Sequence, residues 1–164
     1  MEPQEYVKKK RLKAVPAVYL LLILSGEILL MLRKNTGYQD GNWDLPAGHM
    51  EDGELPTGAL IREVREEIGV TLTERNLTLV HTSYRPEHDP TGNRIDLFFV
   101  AGTCVGTPVN AEPHKCERLD WFRPEILPSN ITPHSRNAVE AYLRRSRYSE
   151  LGLDWIKSQS LYKL

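Results

Sequence analysis

Two almost unbroken apolar runs, "VYLLLIL" (Val18 to Leu24) and "ILLML" (Ile28 to Leu32), stand near the start of the chain, parted only by Ser25, Gly26 and Glu27. Both are too short for typical helices and meet at a turn, so the pattern predicts two buried strands joined as a hairpin. "KNTGYQDGNW" follows as a polar loop and "LPAGHMEDGE" as further irregular chain. "PTGALIREVREEI" then changes period. Ile61, Val64 and Ile68 fall on one helical face, Pro56 suits the first turn, and Gly69 suits the position just past the end. "LTLVHTSYR" and "RIDLFFVAG" read as strands around the turn-rich "PEHDPTGN", and "RLDWF" as a shorter one. "PHSRNAVEAYLRRSR" is a second amphipathic helix with Ala138, Ala141 and Tyr142 on one side. Strands flanking one helix and followed by another predict a layered α/β fold with a mixed sheet.

Composition narrows the class. The 164 residues suit one domain, and 40% hydrophobic with 26% charged residues describes a globular chain. "KKKRLK" (Lys8 to Lys13) before the first strand superficially resembles a secretory signal. However, the apolar run after it contains Pro16, is too short to span a bilayer, and lacks a cleavage pattern. We expect residues 1–13 to be a basic tail and residues 14–164 a single domain, with no membrane segment. Lys and Arg total 21 against 22 Asp and Glu, a net charge of -1, which argues against long nucleic acid as a partner. Cys104 and Cys116 make neither a zinc pattern nor a disulfide framework. Reduced thiols in a cytoplasmic protein are expected, with an extracellular bridge as the alternative.

Within the first helix, Glu63, Glu66 and Glu67 share one arc. A solvated face explains this in part, since Arg62 and Glu66 are i,i+4 partners. Yet Glu63 and Glu67 are also i,i+4, and like charges at that spacing weaken a helix. A divalent cation site is the other reading, because hard cations take carboxylate oxygens from adjacent turns. Residues beyond the helix decide it. Gly48, Glu54, Arg62, Glu63, Val64, Glu66, Glu67, Gly69 and Val70 fit G-x5-E-x7-R-E-U-x-E-E-x-G-U, U being a bulky aliphatic residue. Nine spaced matches are far beyond chance, and this stretch resembles the Nudix box of the Nudix hydrolases, of the broad MutT-like kind.

The resemblance implies an α/β/α sandwich with a mixed sheet, the box forming a loop, a helix and a second loop. It implies hydrolysis of a nucleoside diphosphate linked to another group, with Mg²⁺ or alternatively Mn²⁺. Glu63, Glu66 and Glu67 would be the metal-binding and catalytic carboxylates, Gly48 a further ligand through its carbonyl and a tight-turn residue, and Glu63 the leading general base. Glu54 and Arg62 would be the structural ion pair. Glu112 or Glu117 in "EPHKCERLDWF" is placed to add an acid, with a surface carboxylate as the alternative. Substrate contacts are expected from Arg33 at a phosphate, from Trp43 or Tyr38 stacked on a base, and from Arg85, which with Arg94 brackets a loop over the site. Each has a plainer alternative: a solvated strand end, core packing, a surface salt bridge. His49, His81 and His114 show no ligand spacing and receive no role.

Nucleoside triphosphates, oxidised nucleotides, dinucleoside polyphosphates and ADP-ribose all remain as substrates. Pro86, sixteen positions beyond Val70, has a spacing similar to that of ADP-ribose-hydrolysing members. A non-catalytic Nudix-fold sensor or scaffold is the alternative function, but its usual mark is a lost box glutamate, and here none is lost. The oligomeric state, a homodimer included, is not legible.

Overall fold

The computed structural model describes residues 11–86 and 92–152. Its strands are β1 (Ala14–Leu24), β2 (Glu27–Arg33), β3 (Trp43–Asp44), β4 (Ala47–His49), β5 (Thr78–Arg85), β6 (Asn93–Ala101), β7 (Cys116–Phe122) and β8 (Tyr148–Glu150). Its α-helices are α1 (Pro56–Ile68) and α2 (Pro133–Leu143). Most of the expected basic tail, residues 1–10, lies outside the described residues, as do 87–91 of the "PEHDPTGN" loop and 153–164.

β1 explains the unbroken apolar run at the start. Val18, Leu20 and Leu22 face Ala59, Leu60, Val64 and Ile68 of α1. Ala17, Tyr19 and Leu21 face the other way, toward Ala138 and Val139 of α2. A strand covered on both faces needs apolar residues at every position, not at alternate ones. Leu20, Leu21 and Leu22 are fully buried, and each such side chain contributes about 1.5–3 kcal/mol. Helices on opposite faces of one sheet make the α/β/α sandwich.

The sheet is mixed. β1 runs parallel to β6 from Ala14 opposite Asn93 to Leu22 opposite Ala101. β5 joins β6 antiparallel, and β8 joins β5 parallel. On its other side β1 changes neighbour: Ala17–Tyr19 pair with β4, whereas Ile23 and Leu24 turn into β2. β2 in turn carries β3 and β7. Residues of β1, β2 and β4 line a common cleft beside that change.

Three differences from the expected elements have local causes. β4 falls in chain expected to be irregular, and its three residues are too few to show a period. α2 stops at Leu143 and not near Arg147, because Arg145 takes a left-handed φ of 58° and the chain turns into β8. Gly48, expected to serve a tight turn, lies extended in β4; its need for glycine comes from close packing, described below. Among the described residues, no helix is long and apolar enough to cross a membrane. Cys104 and Cys116 are free thiols, the second buried.

Candidate metal and nucleotide site

α1 carries a dry face and an acidic face, and β4 crosses the acidic one. A Cβ at Gly48 would stand 2.0 Å from Cδ of Glu63. Glycine at 48 is therefore the gap into which the Glu63 side chain fits. Arg62 ties the box together. Its Nε and Nη2 donate to the two oxygens of Glu54 at 2.8 and 3.0 Å, and Nη2 also donates to the His49 carbonyl at 3.1 Å. The Arg62 hydrogen bonds, joined by the Glu51 amide, bring the Glu54 carboxyl down to about 2. Arg62 Nη1 further donates to Glu63 Oε1 at 2.8 Å, and lies 3.5 Å from Glu66.

Glu67 is the deepest of the three box acids. Its Oε2 accepts the Ala47 amide at 2.9 Å. Burial pushes its carboxyl well above the ordinary range, and the like charges of Glu63, Glu112 and Asp44 push the same way. Burial also raises Glu63, against the opposing pull of Arg62. Glu66 is about half exposed, its side chain at 52%. Among the described residues, no three His, Cys, Asp or Glu side chains stand arranged to hold an ion. Arg62 draws Glu63 and Glu66 to itself, and the Ala47 amide draws Glu67. The donors nevertheless fit a hard cation: all are oxygens, and Glu67 is a buried carboxylate short of positive charge.

A fourth acid reaches the cleft by way of the helix end. Gly69 closes α1 in the left-handed region at φ 69°, and its missing side chain admits Val109, whose Cγ2 would lie 2.9 Å from a Cβ there. The loop then donates Val109 N–H to the Ile68 carbonyl and Ala111 N–H to the Glu67 carbonyl, both at 3.0 Å. These bonds satisfy carbonyls a helix end leaves open. They deliver Glu112 to the cleft wall; Glu117 is exposed and does not line it.

The cleft, about 510 Å³, is lined by these acids and by a second polar cluster. Arg33 lines it, held by Asp44 at 3.3 Å, the Tyr38 carbonyl at 2.9 Å and Thr36 Oγ1 at 3.1 Å. Tyr38 lines it too. Trp43 does not: it is buried edge-on against Phe122, with Arg118 over its ring. Arg85 reaches the cleft only as part of its floor, 1% exposed and paired with Asp96. Sequence reasoning passed over Asp44, His134 and Lys115, which also line the cleft. Asp44 stands inside "NWDLPAG" and Lys115 inside "EPHKCERLDWF", but nothing in either stretch signals which way a side chain turns.

Asp44 is buried and takes hydrogen bonds from Thr132, Ser135 and the Leu45 amide, with His134 Nε2 at 3.4 Å. Burial alone would raise its carboxyl; His134, Arg33 and Ser135 outweigh that and hold it far below the ordinary range. A folded-state value below the unfolded one stabilises above the unfolded value, near 3.9, and that contribution is lost as pH falls further. Urea midpoints measured from pH 7 to 3 should therefore fall for the native chain below about pH 4 more steeply than for Asp44→Asn. Parallel curves would show that Asp44 is not linked to folding in this way.

The geometry accords with what the chain resembles. The NUDIX domain profile matches residues 13–142. An ADP-ribose pyrophosphatase of Methanocaldococcus jannaschii is 36% identical over 140 residues, covering 84% of this chain and 79% of that protein. An 8-oxo-dGTP diphosphatase of Proteus vulgaris is 38% identical over 72 residues, covering 44% of this chain and 60% of that protein. The crystal structure of a MutT NUDIX hydrolase from Burkholderia pseudomallei matches with a TM-score of 0.71 at 28% identity, covering 79% of this chain and 98% of that one. A domain match of this extent, carried by a sandwich with the same fold, makes the chain a member of the Nudix family, a Nudix pyrophosphohydrolase.

Proposed function

We propose that this chain hydrolyses the pyrophosphate bridge of a small nucleoside diphosphate-linked compound, ADP-ribose foremost, in a reaction dependent on Mg²⁺ or Mn²⁺. The observation that carries the reading is one cleft lined by Glu63, Glu67 and Glu112 together with Arg33. ADP-ribose leads because the relative so named is 36% identical over most of both chains, against 29% for a putative 8-oxo-dGTP diphosphatase of Bacillus subtilis aligned over 77% of each.

Glu63, Glu66 and Glu67, with the Gly48 carbonyl and Glu112, would hold the ion. A bound divalent cation supplies positive charge against the phosphate oxygens and lowers the pKa of an attacking water. The protein's own groups do the rest. Arg33 offers a fixed guanidinium that can grip two phosphate oxygens. Its bonds to Asp44 and the 34–42 loop fix its position before substrate arrives. Glu63, whose burial raises its affinity for a proton, takes the proton from water as general base. Water oxygen bonds to phosphorus, the bridging P–O bond breaks, and the electron pair leaves with the departing phosphate. From ADP-ribose the products are AMP and ribose 5-phosphate. The glutamates act with no covalent intermediate, through charge and position.

Two reduced thiols accord with a cytoplasmic setting, and a net charge of -1 with a small substrate in place of long nucleic acid. The test is a panel of ADP-ribose, 8-oxo-dGTP, dGTP, CTP and diadenosine tetraphosphate, assayed with Mg²⁺, with Mn²⁺ and with EDTA. ADP-ribose should give the highest kcat/KM and equal yields of the two products, and EDTA should abolish turnover. A higher kcat/KM for 8-oxo-dGTP would overturn the substrate. No turnover of any compound, or turnover indifferent to EDTA, would overturn the mechanism.

A further inference from the structure

The cations lining the cleft are not equally committed. Arg62 is bonded to Glu54 and Glu63, Arg85 to Asp96, and Arg33 to Asp44, with side chains 25%, 1% and 26% exposed, and the buried Arg94 has its Nη1 2.6 Å from His49 Nε2. Lys115 differs: its side chain is 53% exposed, and its ammonium lies 3.1 Å from Glu112 Oε1. The pair is local. Glu112 and Lys115 close a tight turn in which the Lys115 and Cys116 amides both donate to the Glu112 carbonyl at 2.9 Å. Glu112 holds the ammonium in its charged state, and Glu67 and Glu63 add to that pull. An exposed pair on a flexible four-carbon stem is weakly held and easily exchanged.

Glu112 thus faces two claims. It is bonded to Lys115, and it lines the same cleft as Glu63 and Glu67, where the proposed ion would draw it. One carboxylate oxygen gives its best geometry to one cation at a time. We infer that Lys115 is an exchangeable substrate-binding residue: its ammonium stands in for the divalent ion at Glu112 when none is bound, and turns to a phosphate oxygen of the substrate once the ion has claimed that carboxylate. This rests on the metal-dependent reading above. It adds that Lys115 opposes ion binding in the free protein and favours nucleotide binding in the loaded one. A surface pair away from the cleft would do neither.

Opposite signs make the inference testable without turnover. Mn²⁺ is titrated calorimetrically into the full chain with no nucleotide, and ADP is titrated with saturating Mg²⁺, for the native chain, Lys115→Met and Lys115→Arg. Lys115→Met should bind Mn²⁺ about three- to fivefold more tightly, because a competing charge pair of ordinary surface strength has been removed. The same variant should bind ADP about fivefold more weakly, through loss of one charge-assisted contact. Lys115→Arg, which keeps the charge, should stay near the native values for both. If Lys115→Met leaves either affinity unchanged, or moves both in one direction, the assignment is overturned while the metal reading stands. If the native chain takes up no Mn²⁺ with or without ADP, both fall together.

Discussion

Glu67→Gln should lower kcat for ADP-ribose with Mg²⁺ by on the order of 10³-fold while leaving the protein folded. Both halves follow from where the side chain lies. The carboxylate is buried, accepts the Ala47 amide at 2.9 Å, and faces the like charges of Glu63, Glu112 and Asp44. An ionised group so placed destabilises the metal-free chain, and a cation beside it reverses that. Glutamine has the same shape and keeps an oxygen for the Ala47 amide, but it brings no charge to the ion. Melting in EDTA should therefore show the variant at least as stable as the native chain. Excess Mg²⁺ should raise the native melting temperature more than the variant's, since only a ligand bound by the folded state stabilises it. Glu66→Gln, at a side chain about half exposed, should cost less activity. Native-like turnover by Glu67→Gln would remove the metal-binding role of this residue. A variant much less stable in EDTA would remove the electrostatic account.

What could be read from sequence was what depends on local pattern. α1 has the expected limits, and β1 and β2 contain the expected apolar runs, β1 beginning four residues earlier at Ala14, because a covered strand and an amphipathic helix each impose their own period on the chain. The box could be read for a related reason: its positions have fixed spacing, and the structure sets Glu54 against Arg62, the pair that the resemblance implied. β4 and β8, at three residues each, have no room for a period, and only their neighbours make them strands. Trp43 and Arg85 show a second limit. Both were expected to meet substrate, but an aromatic ring or a guanidinium has the same letter in a cleft and in a core. Trp43 packs against Phe122, and Arg85 is spent on Asp96 and Tyr19. The cleft itself joins segments more than eighty residues apart, as in the contact of Ser135 with Asp44. No run of adjacent residues records such a meeting.

The burial of Arg85 leads to the largest stability change expected in this molecule. Arg85 on β5 lies directly opposite Arg94 on β6, and Ser83 opposite Asp96. Like charges directly across a strand pair repel, so the diagonal neighbour Asp96 is what makes this register tolerable. Its carboxylate receives Arg85 Nε and, at 3.1 Å, Arg85 Nη2, the latter also reaching Tyr19 at 3.2 Å. The two side chains are 1% and 0% exposed. Removing one partner of such a pair leaves an uncompensated buried charge, and Asp96→Ala should cost about 3–5 kcal/mol in urea unfolding. The intact pair need not itself be strongly stabilising, because taking both ions out of water costs nearly what their attraction returns. Replacing both, Arg85→Met with Asp96→Leu, should accordingly regain most of that loss and end within roughly 1–2 kcal/mol of the native chain. A double variant as unstable as Asp96→Ala would mean that the pair is bound into a wider polar network through Tyr19 and Arg94. An Asp96→Ala chain as stable as the native one would mean that Arg85 finds water or another partner, and that the cleft floor is not built on this ion pair.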